Sequence, residues 1–232
     1  MSQITSASVN GMARPNTQKQ RRSELIEATL QAGSAHGLRS LSLTDVAKRA
    51  GLTRGALLYY FDDLDSLLVE AHRAGTERYC DLRDEAVAAQ SSYPAKLRTA
   101  IDAGLPSGPD DTLMRLLYEF DFMTGTSALH DELVQKMYLR QLATYRAILG
   151  DGHAAGEFAV RGDIDQAAMN LVALEDAYGL HIVGGNSLIT VGAARAAMLG
   201  FCEQIGCGVT EDAAANGTDR AGCVGYAGWL PA

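Results

Sequence analysis

The sequence predicts an all-α fold, in which a small N-terminal domain of three helices is followed by a larger helical domain. Over most of the 232 residues the apolar positions recur three and four apart, which is the period of an amphipathic helix. The alternation of apolar and polar residues that marks a half-buried strand does not extend over any useful length. Clusters of Gly, Pro and polar residues divide the chain into segments of helical length.

The chain begins with a polar stretch, residues 1–17, which we predict to be a flexible arm. The first predicted helix, Gln18 to His36, carries basic residues at its N-terminal end and is followed by Gly37. Positive charge at that end opposes the helix dipole. Lys19 and Arg21 are therefore better placed to contact phosphate than to stabilise the helix.

The stretch from Leu41 to Phe61 predicts two short helices joined by a tight turn. Ser42 can cap the first helix, and Asp45 three residues later completes a capping-box-like pattern. Gly51 supplies the turn because a residue without Cβ reaches a left-handed conformation at little cost. Thr53 can cap the second helix.

The second of these helices, Arg54 to Tyr60, has an inward and an outward face. Leu57 and Phe61 are four residues apart and face inward, while basic and aromatic residues fall on the opposite face. The turn length, this outward face and the preceding basic helix favour a helix-turn-helix DNA-binding domain over an ordinary helical hairpin. The predicted DNA-contacting residues are Lys19, Arg21, Ser42, Thr44, Lys48, Thr53, Arg54, Gly55, Leu58, Tyr59 and Tyr60.

The distribution of charge supports this interpretation, although the formal net charge is −8. Between Arg14 and Tyr60 eight basic residues stand against three acidic ones, and the remainder of the chain carries the compensating excess of acid. A basic N-terminal domain on an acidic body is typical of a regulator that meets double-stranded DNA with one end.

This stretch resembles the helix-turn-helix of the tetracycline-repressor (TetR) family of transcriptional regulators. The residues in register with the family's pattern are Ser42, Val46, Ala47, Ala50, Gly51, Leu52, Thr53, Tyr60 and Phe61. Two positions depart from it, since Leu58 stands for a tyrosine of the recognition helix and Leu64 for a phosphate-contacting lysine. The resemblance implies a homodimeric repressor that binds a palindromic operator and is released by a small-molecule effector. It extends weakly to about Gly206.

Six further helices are predicted after the helix-turn-helix, at Asp63–Gln90, Tyr93–Gly104, Asp110–Gly125, Ala128–Gly150, Asp163–Val183 and Ser187–Ile205. The predicted organisation is an arm at 1–17, a DNA-binding domain at 18–66, an effector-binding and dimerisation domain at 67–206, and a disordered tail at 207–232.

The last two predicted helices are rich in small residues, which let helix axes approach closely. These residues are Ala167, Ala168, Ala173, Ala177, Gly179, Ala193, Ala194, Ala196, Ala197 and Gly200. A helix-turn-helix reader usually needs two copies to read a palindrome, so we favour a homodimeric four-helix bundle here over packing within one chain. The turn at Gly156–Phe158, Asp163 and the run LEDAYGL resemble the C-terminal domain of the TetR branch that includes choline-responsive repressors.

Carboxylates on apolar helices indicate a ligand site. Glu119 and Asp121 lie in LLYEFDFM, and Glu175 and Asp176 lie in LVALEDAYGL. A buried carboxylate is costly unless it meets a cation or a hydrogen-bond donor, the alternative being that these side chains face solvent or pair with an arginine. Aromatic rings and carboxylates together suit an amine or a quaternary ammonium compound. The predicted effector-binding residues are Tyr118, Glu119, Phe122, Met123, Tyr138, Glu175, Tyr178 and His181.

Other functional classes find little support in the sequence. Catalytic and phosphate-loop motifs are absent, and the four cysteines lack metal-ligand spacing, so we predict no enzyme, cofactor or metal. The cysteines are interpreted as reduced thiols of a cytoplasmic protein, and no apolar run is long enough to span a membrane. Two alternatives stay open: a helical small-molecule-binding protein without DNA binding, and a small hydrolase that uses Glu175, Asp176 and His181.

Overall fold

The computed structural model describes residues 13–125 and 127–208, with side chains from Gln18 onward. Within these ranges the chain is all-helical, which confirms the predicted fold class. The α-helices are α1 (Ala13–His36), α2 (Leu43–Arg49), α3 (Arg54–Leu58), α4 (Leu64–Ala88), α5 (Tyr93–Gly104), α6 (Thr112–Asp121), α7 (Ala128–Ala154), α8 (Ile164–Val183) and α9 (Val191–Gln204), and a 3-10 helix spans Leu38–Ser40.

The ends of the chain differ from the prediction in two respects. Cys207, the first residue of the predicted disordered tail, is a buried core residue. Helix α1 begins at Ala13, inside the stretch predicted to be an arm. The remainder of that arm, residues 1–12, and the predicted tail from residue 209 lie outside the described residues.

The described residues fall into two compact units, divided in the chain between Ala71 and His72. The predicted boundary lies a few residues earlier, after residue 66. Helix α4 contributes residues to both units, since it runs without interruption from Leu64 to Ala88.

The N-terminal unit is organised by local capping. The Ser42 hydroxyl accepts from the Asp45 N–H at 3.3 Å, and the Asp45 carboxylate accepts from the Ser42 N–H at 3.0 Å, which confirms the capping box. Gly51 adopts a φ of 66° at the turn. The Thr53 hydroxyl accepts from the Ala56 N–H at 3.2 Å and begins α3.

Helix α3 is shorter than the sequence predicts, because it ends at Leu58 rather than at Tyr60. The Tyr60 N–H donates to the Leu57 carbonyl at 2.9 Å, three residues back, so the last turn tightens and the regular helix stops. Leu57 and Phe61 are buried as predicted.

The C-terminal unit has its main core among α5, α7, α8 and α9. The buried residues of this core are Leu97, Ala100, Ile101, Leu105, Leu142, Tyr145, Ile148, Leu149, Phe158, Ala167, Ala168, Leu171, Val172, Ile182, Ala194, Met198, Cys202 and Cys207. A smaller cluster of Tyr79, Cys80, Met114, Leu117 and Val183 joins α4, α6 and α8. Met137 of α7 packs against this cluster, which therefore brings α4, α6, α7 and α8 together.

Side-chain caps that the prediction missed set where two helices of this unit begin. Asp111 caps α6 by accepting from the Met114 N–H at 3.0 Å. Thr190 caps α9 by accepting from the Ala193 N–H at 3.1 Å, so α9 begins later than predicted. The end of α7 lies beyond the predicted Gly150.

The three cysteines that the structure describes are buried and free. Burial raises the pKa of Cys202 to about 12 and that of Cys207 to about 11, so both thiols stay protonated at neutral pH. Cys223 lies outside the described residues. In the part of the chain that the structure covers, no helix combines the length and apolar character that a membrane span requires.

Candidate functional site

The outward face of α3 presents basic, polar and aromatic groups to solvent. Arg54 and Gly55 are exposed, Leu58 is 40% exposed and Tyr59 is 75% exposed. A large aromatic side chain seldom stands so far out of a protein without a partner. The Tyr59 ring meets the Tyr60 ring edge-on, with 5.1 Å between the centroids.

Arg22 supports this face from beneath, a role that the sequence did not indicate. Its guanidinium donates to the Tyr60 carbonyl and lies 4.2 Å above the centroid of the Phe61 ring. Arg22 therefore links α1 to the segment that follows α3, through the Tyr60 carbonyl and the Phe61 ring. A basic residue near the start of α1 is consistent with contact to DNA phosphate and equally with support of the segment after α3. The sequence therefore could not distinguish these two roles.

The other predicted DNA-contacting side chains lie at the surface, but several are already engaged. The Ser42 and Thr53 hydroxyls serve as helix caps. Arg21 pairs with Glu24 at 2.6 Å. Tyr60 is half-buried, and the exposed members of the set include Lys19, Thr44 and Lys48.

The C-terminal unit contains a cavity of about 100 Å³ between α6, α7 and α8. Its lining residues are Met114, Leu117, Tyr118, Asp121, Val134, Met137, Tyr138, Gln141 and Asp176. Tyr118 and Tyr138 belong to the predicted effector-binding set. The Tyr118 hydroxyl lies so close to Gly179 of α8 that a Cβ there would collide with it, so this glycine makes room for the tyrosine.

Two carboxylates face this cavity, Asp121 from α6 and Asp176 from α8. Desolvation and the charge of Asp176 raise the pKa of Asp121 to about 7. Desolvation and the charge of Glu175 raise the pKa of Asp176 to about 6, although its side chain reaches solvent in the single chain. Desolvation also raises the pKa of the Tyr118 hydroxyl, which stays protonated.

Glu175, the residue before Asp176, is buried and fully engaged. Its carboxylate accepts from the Arg83 guanidinium at 2.8 and 3.0 Å and from the Tyr79 and Tyr145 hydroxyls at 2.9 and 2.6 Å. The Gln141 amide donates to it at 3.0 Å and reaches Asp176 at 3.5 Å. Glu175 is therefore a structural anion that joins α4, α7 and α8, and it does not present a free charge to the cavity.

The remaining predicted effector-binding residues do not line the cavity. Phe122 follows the end of α6 and is 65% exposed. His181 is exposed, and its ring contacts the Asn186 amide at 3.2 Å. Tyr178 packs against the main core of the unit. The structure thus brings Tyr118 and Tyr138 together at the cavity, but not Glu119, Phe122, Met123, Glu175, Tyr178 or His181.

A pair of buried histidines was not singled out in the sequence. His72 of α4 and His130 of α7 approach with 3.1 Å between their Nδ1 atoms. The Phe120 ring stacks on His72 with 4.4 Å between the centroids. Desolvation, then the neighbouring His130 and Arg73, lower the pKa of His72 to about 4. The two residues are 58 positions apart, so no local pattern could reveal them.

A helix-turn-helix unit followed by a helical unit with a small cavity is the architecture of a one-component transcription regulator. In such a regulator one chain carries both the DNA-binding part and the ligand-binding part. The sequence pattern described as "Bacterial regulatory proteins, tetR family" matches residues 25–71. The HTH-type transcriptional regulator BetI of Burkholderia ambifaria is 30% identical over 172 residues, which is 71% of this chain and 84% of that protein. BetI of Burkholderia mallei is 30% identical over 182 residues, 76% of this chain and 89% of that protein. The chain belongs to the TetR family of transcriptional regulators.

Solved structures show the same fold. A transcriptional regulator from Saccharomonospora viridis in complex with choline superposes with a TM-score of 0.74 at 20% identity, over 80% of this chain and 96% of that one. A TetR transcription regulator from Haloarcula marismortui gives a TM-score of 0.73 at 19% identity, over 81% of this chain and 98% of that one. At such identities the likeness concerns the fold alone.

Proposed function

We propose that this regulator is a repressor that binds a palindromic operator as a homodimer and releases it when a small organic cation enters the cavity of the C-terminal unit. The observation that carries the proposal is the pairing of Asp121 and Asp176 at a cavity whose nine described lining residues include no basic side chain. Two partly desolvated carboxylates in a lining without a basic side chain favour a positively charged ligand.

The rest of the lining supports a small, compact cation. The rings of Tyr118 and Tyr138 offer the negative faces that attract an ammonium group, and Met114, Leu117 and Met137 offer apolar contact for its substituents. A protein cavity of about 150 Å³ can hold benzene, so a cavity of about 100 Å³ suits a ligand of only a few non-hydrogen atoms. The choline bound by the Saccharomonospora viridis regulator is a compound of this class.

The proposed dimer uses the exposed face of α8 and α9. Of the small residues of these helices, Ala167, Ala168, Gly179 and Ala194 are buried within the chain and Gly200 is half-buried. The exposed small residues are Ala173, Ala177, Ala193, Ala196 and Ala197. Met169 and Leu180 add exposed apolar surface on α8. A self-complementary apolar face of this kind is what a two-fold dimer requires.

Release of the operator follows from thermodynamic linkage. The cation must bind more tightly to the form of the protein that does not bind DNA. The operator must then lower the affinity of the protein for the cation by the same factor. We propose that the dimer acts in the cytoplasm, where its operator is found.

The test begins with DNA. Genomic fragments retained by the pure protein are sequenced, and the fragment recovered is used in a gel-shift titration at several salt concentrations. Choline should release this fragment, while 3,3-dimethyl-1-butanol, its uncharged carbon isostere, should not. Absence of specific DNA binding would favour the alternative of a helical small-molecule-binding protein. Equal release by the two compounds would remove the requirement for charge.

A further inference from the structure

Two acidic side chains from different helices face one small cavity. Asp121 is the last residue of α6, and Asp176 lies in the middle of α8. Both line the cavity together with tyrosine, methionine, leucine, valine and glutamine side chains. Two ionised carboxylates that line one small cavity repel each other, so the ligand-free site favours a counter-ion or a proton there.

The charged and titratable groups around the cavity relieve this repulsion only in part, since Gln141 and Arg83 lower the pKa of Asp176 by less than desolvation and Glu175 raise it. From α4, the Arg83 guanidinium is taken by Glu175, and the Tyr79 hydroxyl donates to the same carboxylate. From α8, the charge of Glu175 raises the pKa of Asp176 more than the charge of its partner Arg83 lowers it.

The remaining groups are uncharged or turned elsewhere. Tyr118 of α6 and Tyr138 of α7 are neutral phenols, and Gln141 of α7 offers one long amide contact to Asp176. Arg140 of α7 is engaged by Asp81 and Asp84 of α4.

The titration of the two carboxylates agrees with this geometry. The pKa of Asp121 is raised to about 7, by desolvation first and by the charge of Asp176 second. The pKa of Asp176 is raised to about 6, by desolvation first and by the charge of Glu175 second. At about pH 6.5 the carboxylates of Asp121 and Asp176 together therefore hold on the order of one proton, which is shared between two interacting sites.

We propose that the cavity takes up its organic cation in exchange for a proton. The inference rests on the proposed function, since it concerns the same cavity and the same class of ligand. When the ammonium group enters, the O–H bond of the protonated carboxyl breaks and the proton passes to water and buffer. No covalent bond forms to the ligand, and the charge inside the cavity is unchanged by the exchange.

This exchange makes the regulator sensitive to pH as well as to its effector. A site that must lose a proton to bind has an affinity that falls as the pH falls through the pKa values of the pair. With the two values above, cation affinity should be about 20-fold weaker at about pH 6 than at about pH 8. The pH dependence should level off above about pH 8, where both carboxylates are already ionised.

The experiment uses tetramethylammonium, because a permanent cation cannot itself gain or lose a proton. The full chain is titrated with tetramethylammonium in a calorimeter at about pH 6.5, once in phosphate and once in MES. The ionisation enthalpies of these two buffers differ. The difference in heat gives the number of protons released, which should be about one per bound cation. The dissociation constant is then measured as a function of pH.

Three variants identify the group that releases the proton when the cation binds. Asp121→Asn and Asp176→Asn each remove one member of the pair, so each should lower the proton release and flatten the pH dependence of binding. Asp165→Asn is the matched control, since Asp165 is an exposed residue of α8 that pairs with Arg146 at 2.7 Å. This variant should release as many protons as the wild-type chain.

The outcomes separate the two proposals. If tetramethylammonium and choline fail to bind at any pH, the proposed cationic effector is wrong. If either cation binds without proton release and with the same affinity from about pH 6 to 8, the cationic effector stands and proton exchange is overturned. If the release is unchanged in both cavity variants, the proton comes from another group and this inference is also wrong.

Discussion

Glu175 of α8 and Arg83 of α4 form a two-pronged ion pair that is almost completely buried. Their side chains are 1% and 2% exposed, and the two N–O distances are 2.8 and 3.0 Å. Desolvation alone would lower the pKa of Arg83, but the charge of Glu175 reverses that effect and raises it well above its ordinary value. The Arg83 guanidinium also lies 4.9 Å from the centroid of the Tyr145 ring. The pair fixes the C-terminal half of α4 to α8 within the C-terminal unit.

Breaking this pair should destabilise the protein strongly. Glu175→Gln keeps the shape but leaves the Arg83 charge buried without its partner, which costs about 3–5 kcal/mol of unfolding free energy. Urea denaturation measures the change. Asp102→Asn is the control, because the partly exposed pair of Asp102 with Arg195 should contribute at most about 1 kcal/mol. A loss of stability no larger than that of the control would contradict the structural role of Glu175.

Removal of the outward side chains of α3 should weaken specific DNA binding. Arg54→Ala and Tyr59→Ala should each cost about 1–3 kcal/mol of operator affinity, because base-edge contacts are lost. Lys48→Ala should weaken all sequences alike and reduce the salt dependence, as loss of a phosphate contact does. Gel shifts with operator and random DNA distinguish the two effects. Unchanged operator affinity in both α3 variants would refute the assignment of the recognition helix.

Acid should destabilise the fold through His72. Its folded pKa of about 4 lies below the ordinary value of 6.5, so the unfolded chain takes up this proton first as the pH falls. The contribution of neutral His72 is fully present above pH 6.5 and is lost progressively as the pH falls toward 4. The loss should reach about 3 kcal/mol, since each pKa unit corresponds to about 1.4 kcal/mol.

The measurement compares His72→Gln with the wild-type chain by urea denaturation across this pH range. Because the cavity carboxylates titrate in both proteins, the difference between the two curves isolates His72. His153→Gln, at an exposed position of α7, is the control and should follow the wild-type curve. Parallel curves for His72→Gln and the wild-type chain would contradict the prediction.

A charge on the exposed face of α8 should prevent dimerisation. Ala177→Arg places two long, charged side chains in the proposed two-fold interface, where they prevent the close approach of the apolar faces. Sedimentation should show a monomer at micromolar concentration, and operator affinity should fall because a palindrome is read by two copies. Ala89→Arg, at an exposed position after α4, is the matched control and should remain dimeric. A stable dimer of Ala177→Arg would place the interface elsewhere.

The helix-turn-helix could be predicted residue by residue because its determinants are local. The Ser42–Asp45 capping box, the left-handed Gly51 and the Thr53 cap each involve residues within three positions of one another, and all are confirmed. The burial of Leu57 and Phe61 follows from the helical period alone. The role of Arg22 could not be predicted, because the Tyr60 carbonyl that it binds lies 38 residues away.

The sequence by itself determined that α6 and α8 each carry carboxylates among apolar residues, and that tyrosines accompany them. Only the tertiary structure decided which of these carboxylates faces the cavity. Successive residues on a helix point about 100° apart, so Glu175 and Asp176 face different surroundings, and the packing of α4 and α7 determines what those surroundings are. Glu175 meets Arg83 in the core, whereas Asp176 meets the cavity, because neighbouring helices, and not the residues next to them in sequence, supply their partners.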